Sequence, residues 1–290
     1  MDYRKFLTVN QETYSCGLFN LTIDLELGWS RSKRGDRSIA PKESLERSRR
    51  AREVLPAFLG LCEEYDIPVT FAPVGHIALS DCSSHNSPPP FKPYWLNEDW
   101  FACDPRSSIE KDNDYYGLDL IEKICKSSVA HEIASHGFSH LDLTDEAITF
   151  EVAKFEIEES TKALKKFGQE LTTFIFPHNK PAFIDLLKEN GYRVYRHNKN
   201  TKIEKDEYGL WQFPVGLWLS PKAFSPGEFN RLIGTAVKYK RLISGFCHLY
   251  EFNNPARLID FFRPIFQFIN IKQKQGSLRV KTIRDIIKDI

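Results

Sequence analysis

Apolar strand-like runs alternate with helical patterns along this chain, and this alternation restricts the possible fold more than any other feature. Strands are predicted at residues 18–25, 68–71, 132–135, 172–176, 193–195 and 243–247. Helices are predicted at residues 44–65, 118–125, 145–167, 182–190, 226–239 and 255–268. Such alternation is typical of a parallel β/α architecture, and the number of strands is near what a barrel needs. An open doubly wound sheet is the alternative, but no Gly-rich phosphate loop follows the first strand.

One long segment interrupts this alternation. Residues 80–116 show no clear period and contain three consecutive prolines, 88–90, together with several aromatic residues, among them Tyr94, Trp95 and Trp100. The segment is too long for a simple connector. It either carries a binding surface whose aromatic rings stack on sugars, or it folds back to cover the barrel. We therefore predict a single domain over residues 1–290 with an insertion at about 80–116.

Charge and cysteine usage exclude several classes of partner and compartment. The chain has 40 Lys and Arg against 39 Asp and Glu, a net charge of +1, so no overall field attracts nucleic acid or anionic membrane. Its six cysteines are scattered without a Cys-x-x-Cys pair and are predicted to be reduced thiols. The amino terminus lacks the apolar run of a secretory signal, and no segment is long and apolar enough to span a bilayer. We expect a cytoplasmic protein without a transmembrane segment.

Two histidines and two carboxylates supply the ligand set of a metal-assisted hydrolase. His136 and His140 are four residues apart, so both imidazoles can lie on one side of a turn and bind one ion. Asp24 and Glu26 lie two apart at the end of the first strand and therefore point to the same face. In a β/α barrel these strand ends meet at one rim, where three ligands and one spare acid would form a single-metal hydrolytic site.

The motifs around these residues resemble those of a known family. The stretches Thr22-Ile-Asp-Leu-Glu26, Glu132-Ile-Ala-Ser-His-Gly-Phe-Ser-His-Leu-Asp142, Phe174-Ile-Phe-Pro-His-Asn179 and Gly191-Tyr-Arg-Val-Tyr-Arg196 are similar in order and spacing to the polysaccharide deacetylases. This is the NodB-homology group, or carbohydrate esterase family 4. The resemblance extends from about residue 19 to 252. The stretches 100–105 and 116–123 resemble a bacterial branch associated with surface-polysaccharide biosynthesis.

The resemblance implies a distorted (β/α) barrel and a hydrolase that removes an N-acyl group, commonly acetyl, from a sugar or glycan precursor. One divalent metal ion, commonly zinc, would be bound by Glu26, His136 and His140. Asp24 would be the general base that takes a proton from the metal-bound attacking water. His248, at the end of a late strand, would donate a proton to the leaving amine.

Four further residues are expected to bind substrate or to support the ligands: Glu132, Pro177, His178 and Trp100. Glu132 would accept a hydrogen bond from an imidazole N–H, or would be an ordinary strand-end glutamate. The remaining histidines lack partners in this pattern and are predicted to be structural or exposed; they are His76, His85, His131 and His197.

The chain departs from the family pattern at two positions. Many members have an arginine two residues before the proline of the third motif, where it orients the base, but here Ile175 precedes Pro177 and His178 is the substitute that we expect. Members of the related branch often have a second histidine followed by proline after the position of His248, where this chain has Phe252 and Asn253. His248 is therefore either the acid or a structural histidine.

Three functions follow from these patterns. The first is a metal-dependent sugar N-deacetylase, whose partner would be an N-acylated sugar or glycan precursor, with a peripheral membrane encounter if that precursor is lipid-linked. The second is a cytoplasmic hydrolase of a small amide, imide or ureide on the same fold. The third is a catalytically impaired homologue that binds glycans. The sequence leaves the sugar and the oligomeric state open.

Overall fold

A computed structural model describes residues 14–31, 33–34, 37–38, 41–167, 170–197 and 202–290. Residues 1–13, on which the expectation about a secretory signal rested, lie outside the described part. No helix in these ranges is long and apolar enough to cross a membrane.

The strands and helices alternate as the sequence predicts. The strands are β1 Gly17–Leu25, β2 Lys33–Arg34, β3 Arg37–Ser38, β4 Thr70–Pro73, β5 Glu132–Ile133, β6 Thr173–Ile175, β7 Val194–His197, β8 Glu204–Lys205, β9 Trp211–Pro214, β10 Leu217–Trp218, β11 Leu242–Cys247 and β12 Leu278–Val280. The helices are α1 Pro41–Tyr65, α2 Leu118–Cys125, α3 Phe150–Lys165, α4 Ile184–Glu189, α5 Pro226–Tyr239, α6 Pro255–Lys274 and α7 Ile283–Lys288.

Two sheets form the centre of the molecule. The larger sheet has the order β10-β11-β1-β4-β5, and β12 pairs with the beginning of β1; all of its ladders are parallel. The smaller sheet has the order β6-β7-β9-β8, in which β6, β7 and β9 run parallel. A parallel bridge between Ser135 and Phe174 connects the two sheets just beyond β5. The predicted α/β fold, a distorted (β/α) barrel, is confirmed.

Strand β1 lies at the centre of the larger sheet, and all nine of its residues are buried. Continuous burial on both faces is typical of a parallel strand that is covered by helices. Phe58 of α1 contacts Phe262 of α6 with ring centroids 5.1 Å apart, and Phe229 of α5 contacts Phe19 at 6.0 Å. These helices cover one side of the sheet and hold β1 in place, so the carboxyl end of β1 is rigidly positioned.

The insertion at 80–116 folds back onto this scaffold. Phe91, Trp100 and Phe101 are buried, and Phe101 packs edge-to-face on Phe155 of α3 at 5.7 Å. The indole Nε1 of Trp100 donates a hydrogen bond to Ser139 Oγ at 2.8 Å. The core side of the insertion therefore covers the barrel, while Tyr94 stays exposed and the binding surface remains a prediction.

Candidate active site

The site lies where the carboxyl ends of the parallel strands meet. Asp24 and Glu26 stand at the end of β1, His136 follows β5, Arg196 lies on β7 and His248 follows β11. Each of these residues is at most 6% exposed. The topology alone brings these residues together, because parallel neighbours in one barrel end at the same rim.

The loop that carries the two histidines is held by a buried carboxylate. Glu156 of α3 accepts hydrogen bonds from the backbone N–H groups of Phe138, at 2.9 Å, and Ser139, at 3.0 Å. His140 itself adopts a left-handed backbone conformation with φ of 63°. A non-glycine residue adopts this conformation only where the surroundings enforce it, so the Glu156 contacts fix the direction of the imidazole.

Both imidazoles turn the same nitrogen toward Glu26. His136 donates its Nδ1–H to the carbonyl of Ile175 at 2.7 Å, and the Nδ1 of His140 faces the carbonyl of Arg31 at 3.4 Å. The Nε2 of His140 lies 3.1 Å from Glu26 Oε1, and that of His136 lies 3.8 Å away. Fixing Nδ1 on a carbonyl leaves Nε2 free as a ligand, an arrangement that metal-binding histidines commonly show.

These three residues fit a divalent metal ion. No described residue forms a hydrogen bond with the buried Nε2 of His136, and the ligand atoms of Glu26, His136 and His140 all lie within 4.8 Å of one another. Burial raises the pKa of Glu26, but His140 and His248 outweigh that effect, so its pKa lies well below the ordinary range. An ionised carboxylate and two imidazoles, which give up any extra proton when a metal ion binds, are the donor set of a catalytic zinc site that keeps one open position.

Asp24 is bound by an arginine that the sequence analysis did not single out. Arg196 donates from Nη1 to Asp24 Oδ1 at 2.9 Å and from Nη2 to Oδ2 at 2.6 Å. It also donates from Nη1 to Thr22 Oγ1 at 2.7 Å and from Nε to Asn179 Oδ1 at 2.9 Å. Burial alone would raise the pKa of Asp24. The guanidinium of Arg196 has the opposite effect, and the pKa of Asp24 lies below its ordinary value.

Arg196 takes the place of the arginine expected two residues before Pro177. In the parallel ladder of β6 and β7, Ile175 is the direct register partner of Arg196. Since register partners point to the same face of a sheet, the guanidinium reaches the base from the neighbouring strand. The expectation that His178 replaces the missing arginine is therefore wrong. The signal in the sequence was a basic residue at the end of an otherwise apolar strand.

His178 lies beside the ligands instead. Its ring contacts that of His140 in an edge-to-face arrangement at 5.0 Å, and burial, together with the adjacent His140, lowers its pKa to about 3. Pro177, the preceding residue, is buried and packs close to Gly137, within 3.6 Å of the position that a Cβ there would occupy. His178 lines the cavity of the site, and Pro177 packs against the histidine loop behind it.

His248 lies between the ligand carboxylate and a second acid. Its Nε2 is 3.2 Å from Glu26 Oε1 and 3.9 Å from Asp24 Oδ2, and its Nδ1 is 3.1 Å from Glu251 Oε1. Trp218 donates its Nε1–H to the same Glu251 oxygen at 2.7 Å. Burial lowers the pKa of His248, but Glu26 and Glu251 outweigh it and raise the pKa to about 10. Glu251 is a second residue that the sequence analysis did not identify.

The position at which related proteins have a second histidine belongs to the core here. Phe252 is 1% exposed and packs on Phe261 and Phe262 with centroids 5.5 and 5.3 Å apart. His248 is thus the histidine that this segment contributes to the rim.

Glu132 and Trp100 have other contacts than expected. Glu132 accepts hydrogen bonds from Thr70 Oγ1 at 2.8 Å and from the backbone N–H of Arg284 at 3.0 Å, and not from either imidazole. Its position at the beginning of β5, four residues before His136, is about 13 Å along an extended chain from the ligands. Trp100 is 2% exposed and supports the histidine loop through Ser139 rather than offering an open ring face.

A cavity of about 520 Å³ opens above these side chains. It is lined by Asp24, Glu26, His136, His140, His178, Asn179, Lys180, Trp218, Phe246, His248 and Glu251. A second cavity of about 330 Å³ shares His178 and Lys180 with it and is bordered by Tyr94, Trp95 and Trp100 of the insertion. Asp24, His248 and the possible ligands Glu26, His136 and His140 therefore face one space that a small molecule can enter.

Known proteins resemble this chain in sequence pattern and in fold. The family model described as polysaccharide deacetylase matches residues 47–195, more than half of the chain. A protein from Mycobacterium smegmatis assigned to the polysaccharide deacetylases has a TM-score of 0.62 and 13% identity, over 98% of this chain and 93% of that one. A protein from Pseudomonas aeruginosa PAO1 with the same assignment has a TM-score of 0.63 and 13% identity, over 93% and 89%.

A third solved structure, Puue allantoinase, has a TM-score of 0.63 and 14% identity, over 93% of this chain and 89% of that one. No curated protein matches the chain significantly. At such identities the structural likeness concerns the fold alone, whereas the family model matches the sequence itself. The chain belongs to the polysaccharide deacetylase family.

Proposed function

We propose that this protein is a metal-dependent hydrolase that removes an N-acyl group, in the first place acetyl, from a sugar or glycan precursor. The observation that carries the proposal is the buried pair of Asp24 and Arg196 beside the ligand set of Glu26, His136 and His140. A base that is held ionised next to three open metal ligands suits the hydrolysis of an amide.

Glu26, His136 and His140 would hold the ion, for which we propose zinc. When bound, such an ion polarises the amide carbonyl and lowers the pKa of a water molecule. Family membership and the orphaned Nε2 of His136 support this assignment.

Asp24 acts as the general base. The two hydrogen bonds from Arg196 keep its carboxylate ionised and fix its plane, so that one lone pair of an oxygen points into the cavity. A water molecule there can transfer its proton to Asp24 as it attacks the acyl carbon.

His248 acts as the general acid. Glu251 accepts from Nδ1–H and orients the ring, which leaves Nε2–H directed toward Glu26 and Asp24. The carboxylate of Glu251, which is not a proposed metal ligand, favours the protonated imidazole. The imidazole can then deliver that proton to the nitrogen of the leaving amine as the C–N bond breaks.

The two adjoining cavities support a substrate larger than a simple amide. The acyl group would enter the cavity above Asp24, while Tyr94 and Trp95 would contact a sugar ring in the neighbouring space. A nucleotide-linked or lipid-linked precursor fits the surface-polysaccharide branch that the sequence resembles. Cytoplasmic location and a peripheral membrane encounter are part of this proposal. Equal turnover of a soluble derivative with and without a lipid carrier would argue against the membrane encounter.

A small ureide is the second candidate substrate. One structural neighbour is named an allantoinase, and allantoin contains C–N bonds that the same base and acid could cleave. The aromatic residues of the insertion favour the sugar, because a small ureide would not reach them.

The test measures amine and acetate release from N-acetylated monosaccharides, a nucleotide-linked N-acetyl sugar and an N-acetylated oligosaccharide, with allantoin in parallel. We expect equal amounts of amine and acetate from at least one sugar, and loss of both in His136→Ala, which also loses a bound ion. Turnover of allantoin alone would replace the first candidate by the second. Unchanged metal content and turnover in His136→Ala would overturn the site.

A further inference from the structure

A second group of metal-binding side chains lies outside this site, at the base of the insertion. His76 follows β4, while Cys82, His85 and Asp104 belong to the insertion; we call these four residues the insertion cluster. One ligand atom from each lies within 4.8 Å of all the others. His76 and His85, for which the sequence pattern gave no partner, thus meet a thiol and a carboxylate.

Four of the six edges of the insertion cluster are close to those of a tetrahedral metal site. Cys82 Sγ lies 3.6 Å from His76 Nε2 and 3.3 Å from Asp104 Oδ2. Asp104 Oδ2 lies 3.4 Å from His76 Nε2 and 3.9 Å from His85 Nε2. Bond lengths of about 2.0 to 2.3 Å to a tetrahedral zinc ion require ligand–ligand edges of roughly 3.3 to 3.8 Å. These four edges need only shifts of a few tenths of an ångström, and the two remaining edges, from His85 to His76 and to Cys82, are at most 4.8 Å.

The orientation of His85 points to a cation. Its Nδ1 donates to the carbonyl of Asn86 at 2.6 Å, so the neutral ring carries its lone pair on Nε2. Within the described residues no hydrogen-bond partner meets that buried Nε2, which faces the carboxylate of Asp104; the His85 side chain is 8% exposed. Two acceptors in this position require a cation between them, either a proton on Nε2 or a metal ion.

The Cys82 thiol donates toward Asp104 and lies beside a hydroxyl that a metal-bound thiolate would keep as a donor. The hydroxyl of Tyr116 accepts the backbone N–H of Ser107 at 3.1 Å, which leaves its own proton for Cys82 Sγ at 2.8 Å. Burial raises the pKa of the Cys82 thiol to about 11, so a metal ion would have to displace its proton, as it does at zinc–thiolate sites. A surface cavity bordered by Cys82, His85 and Asp104 gives the ion a path of entry.

We propose that His76, Cys82, His85 and Asp104 bind a second divalent ion, of the zinc class, at a structural site with four protein ligands. The thiolate and the carboxylate balance the two charges of the ion, and the set of two nitrogens, one sulfur and one oxygen suits zinc rather than magnesium or calcium. With all four positions taken by protein, the site has no place for a substrate. It ties the end of β4 to the insertion.

This tie has a consequence for the candidate active site. The insertion carries Trp95 and Trp100, which border the cavity next to the histidine loop. Loss of the second ion should therefore lower stability and weaken binding of large substrates, while Asp24 and its neighbours stay in place.

Zinc X-ray absorption on the protein as purified tests the proposal, together with metal content per chain. We expect a zinc–sulfur scattering path at about 2.3 Å, because the proposed active site contributes no sulfur. Cys82→Ser should lose this path and one ion per chain. The control Cys103→Ser changes another half-buried thiol of the insertion, whose Sγ faces the carbonyl of Trp100, and should keep both.

His136→Ala separates this proposal from the proposed function. The variant should keep the sulfur-bound ion whatever happens to the other site. A wild-type protein without sulfur-bound metal after incubation with zinc would overturn the second site, as would retention of the sulfur path in Cys82→Ser. If Cys82→Ser fails to fold, the X-ray absorption spectrum of the wild-type protein still shows whether zinc is bound to sulfur.

Discussion

Asp24 keeps a negative charge in a buried place because Arg196 donates two parallel hydrogen bonds to it. The same guanidinium is fixed by Thr22 and Asn179, so the base has one orientation. A lysine ammonium would keep the charge but could not reproduce the planar fork. At the scale of single residues, the chemistry of the site thus depends on geometry as much as on charge.

We predict that Arg196→Lys lowers kcat by about 10- to 100-fold and leaves KM nearly unchanged, because only the support of the base is altered. Steady-state kinetics with the best substrate measures this effect. Arg193→Lys is the matched control, since Arg193 lies on the same segment in an exposed ion pair with Glu170. Equal activity of Arg196→Lys and wild type would show that the pair does not position the base.

At the scale of elements, β5 depends on a buried neutral histidine next to its first residue. His131 accepts the backbone N–H of Val69 on its Nδ1 at 3.2 Å, and its ring packs edge-to-face on Phe71 at 5.1 Å. Burial lowers its pKa from 6.5 to about 4. As the pH falls, His131 is therefore protonated in the unfolded chain before it is protonated in the folded protein. The stability that neutral His131 contributes above pH 6.5 is lost as the pH falls toward 4.

We predict that wild-type protein loses about 2 kcal/mol of unfolding free energy between pH 7 and pH 5 through His131 alone. His131→Asn keeps an acceptor for Val69 but does not titrate, so its loss over this range should be smaller by that amount. Urea unfolding of both proteins at the two pH values measures the difference, in which the other titrating groups cancel. An identical pH dependence in both proteins would contradict the buried neutral state.

Element bounds followed from the sequence where local chemistry sets them. Helix α5 spans 226–239 as predicted, because Ser225 and Glu228 form a capping box at its beginning. Helix α3 begins at Phe150 rather than at residue 145, because Thr149 is its N-cap and Asp145 forms a turn with Ala147. Strands β9, β10 and β12, of four, two and three residues, were not predicted.

The candidate site was likewise predictable where it depends on local spacing and not where it depends on contacts between strands. The spacing of His136 and His140 and of Asp24 and Glu26 is local, and the structure brings these four residues together. The contact of Arg196 with Asp24 depends on the register of β6 and β7, which no local pattern shows.

At the scale of the whole molecule, the insertion adds a second wall to the barrel rim. Trp95 contacts Trp100 edge-to-face at 6.2 Å and borders the cavity that adjoins the site. Its position fits contact with a sugar ring that lies beyond the reacting acyl group. The barrel would then supply the chemistry, and the insertion would select the size of the substrate.

We predict that Trp95→Ala raises KM for an N-acetylated oligosaccharide about fivefold, equivalent to about 1 kcal/mol of aromatic contact, with kcat nearly unchanged. A monosaccharide substrate should show little effect, because it would not reach Trp95. Trp211→Ala is the control, as Trp211 borders a separate cavity. A uniform loss of kcat on both substrates would indicate damage to the fold instead.

Asp24→Asn, with metal content and turnover measured on the same sample, tests the central claim most directly. The variant keeps the shape of Asp24 and leaves Glu26, His136 and His140 untouched, so we expect wild-type metal content. Turnover of the N-acetylated sugar should fall by about 10²- to 10⁴-fold, the usual contribution of a general base. Full metal content with unchanged turnover would contradict the role of Asp24 and, with it, the proposed catalytic site.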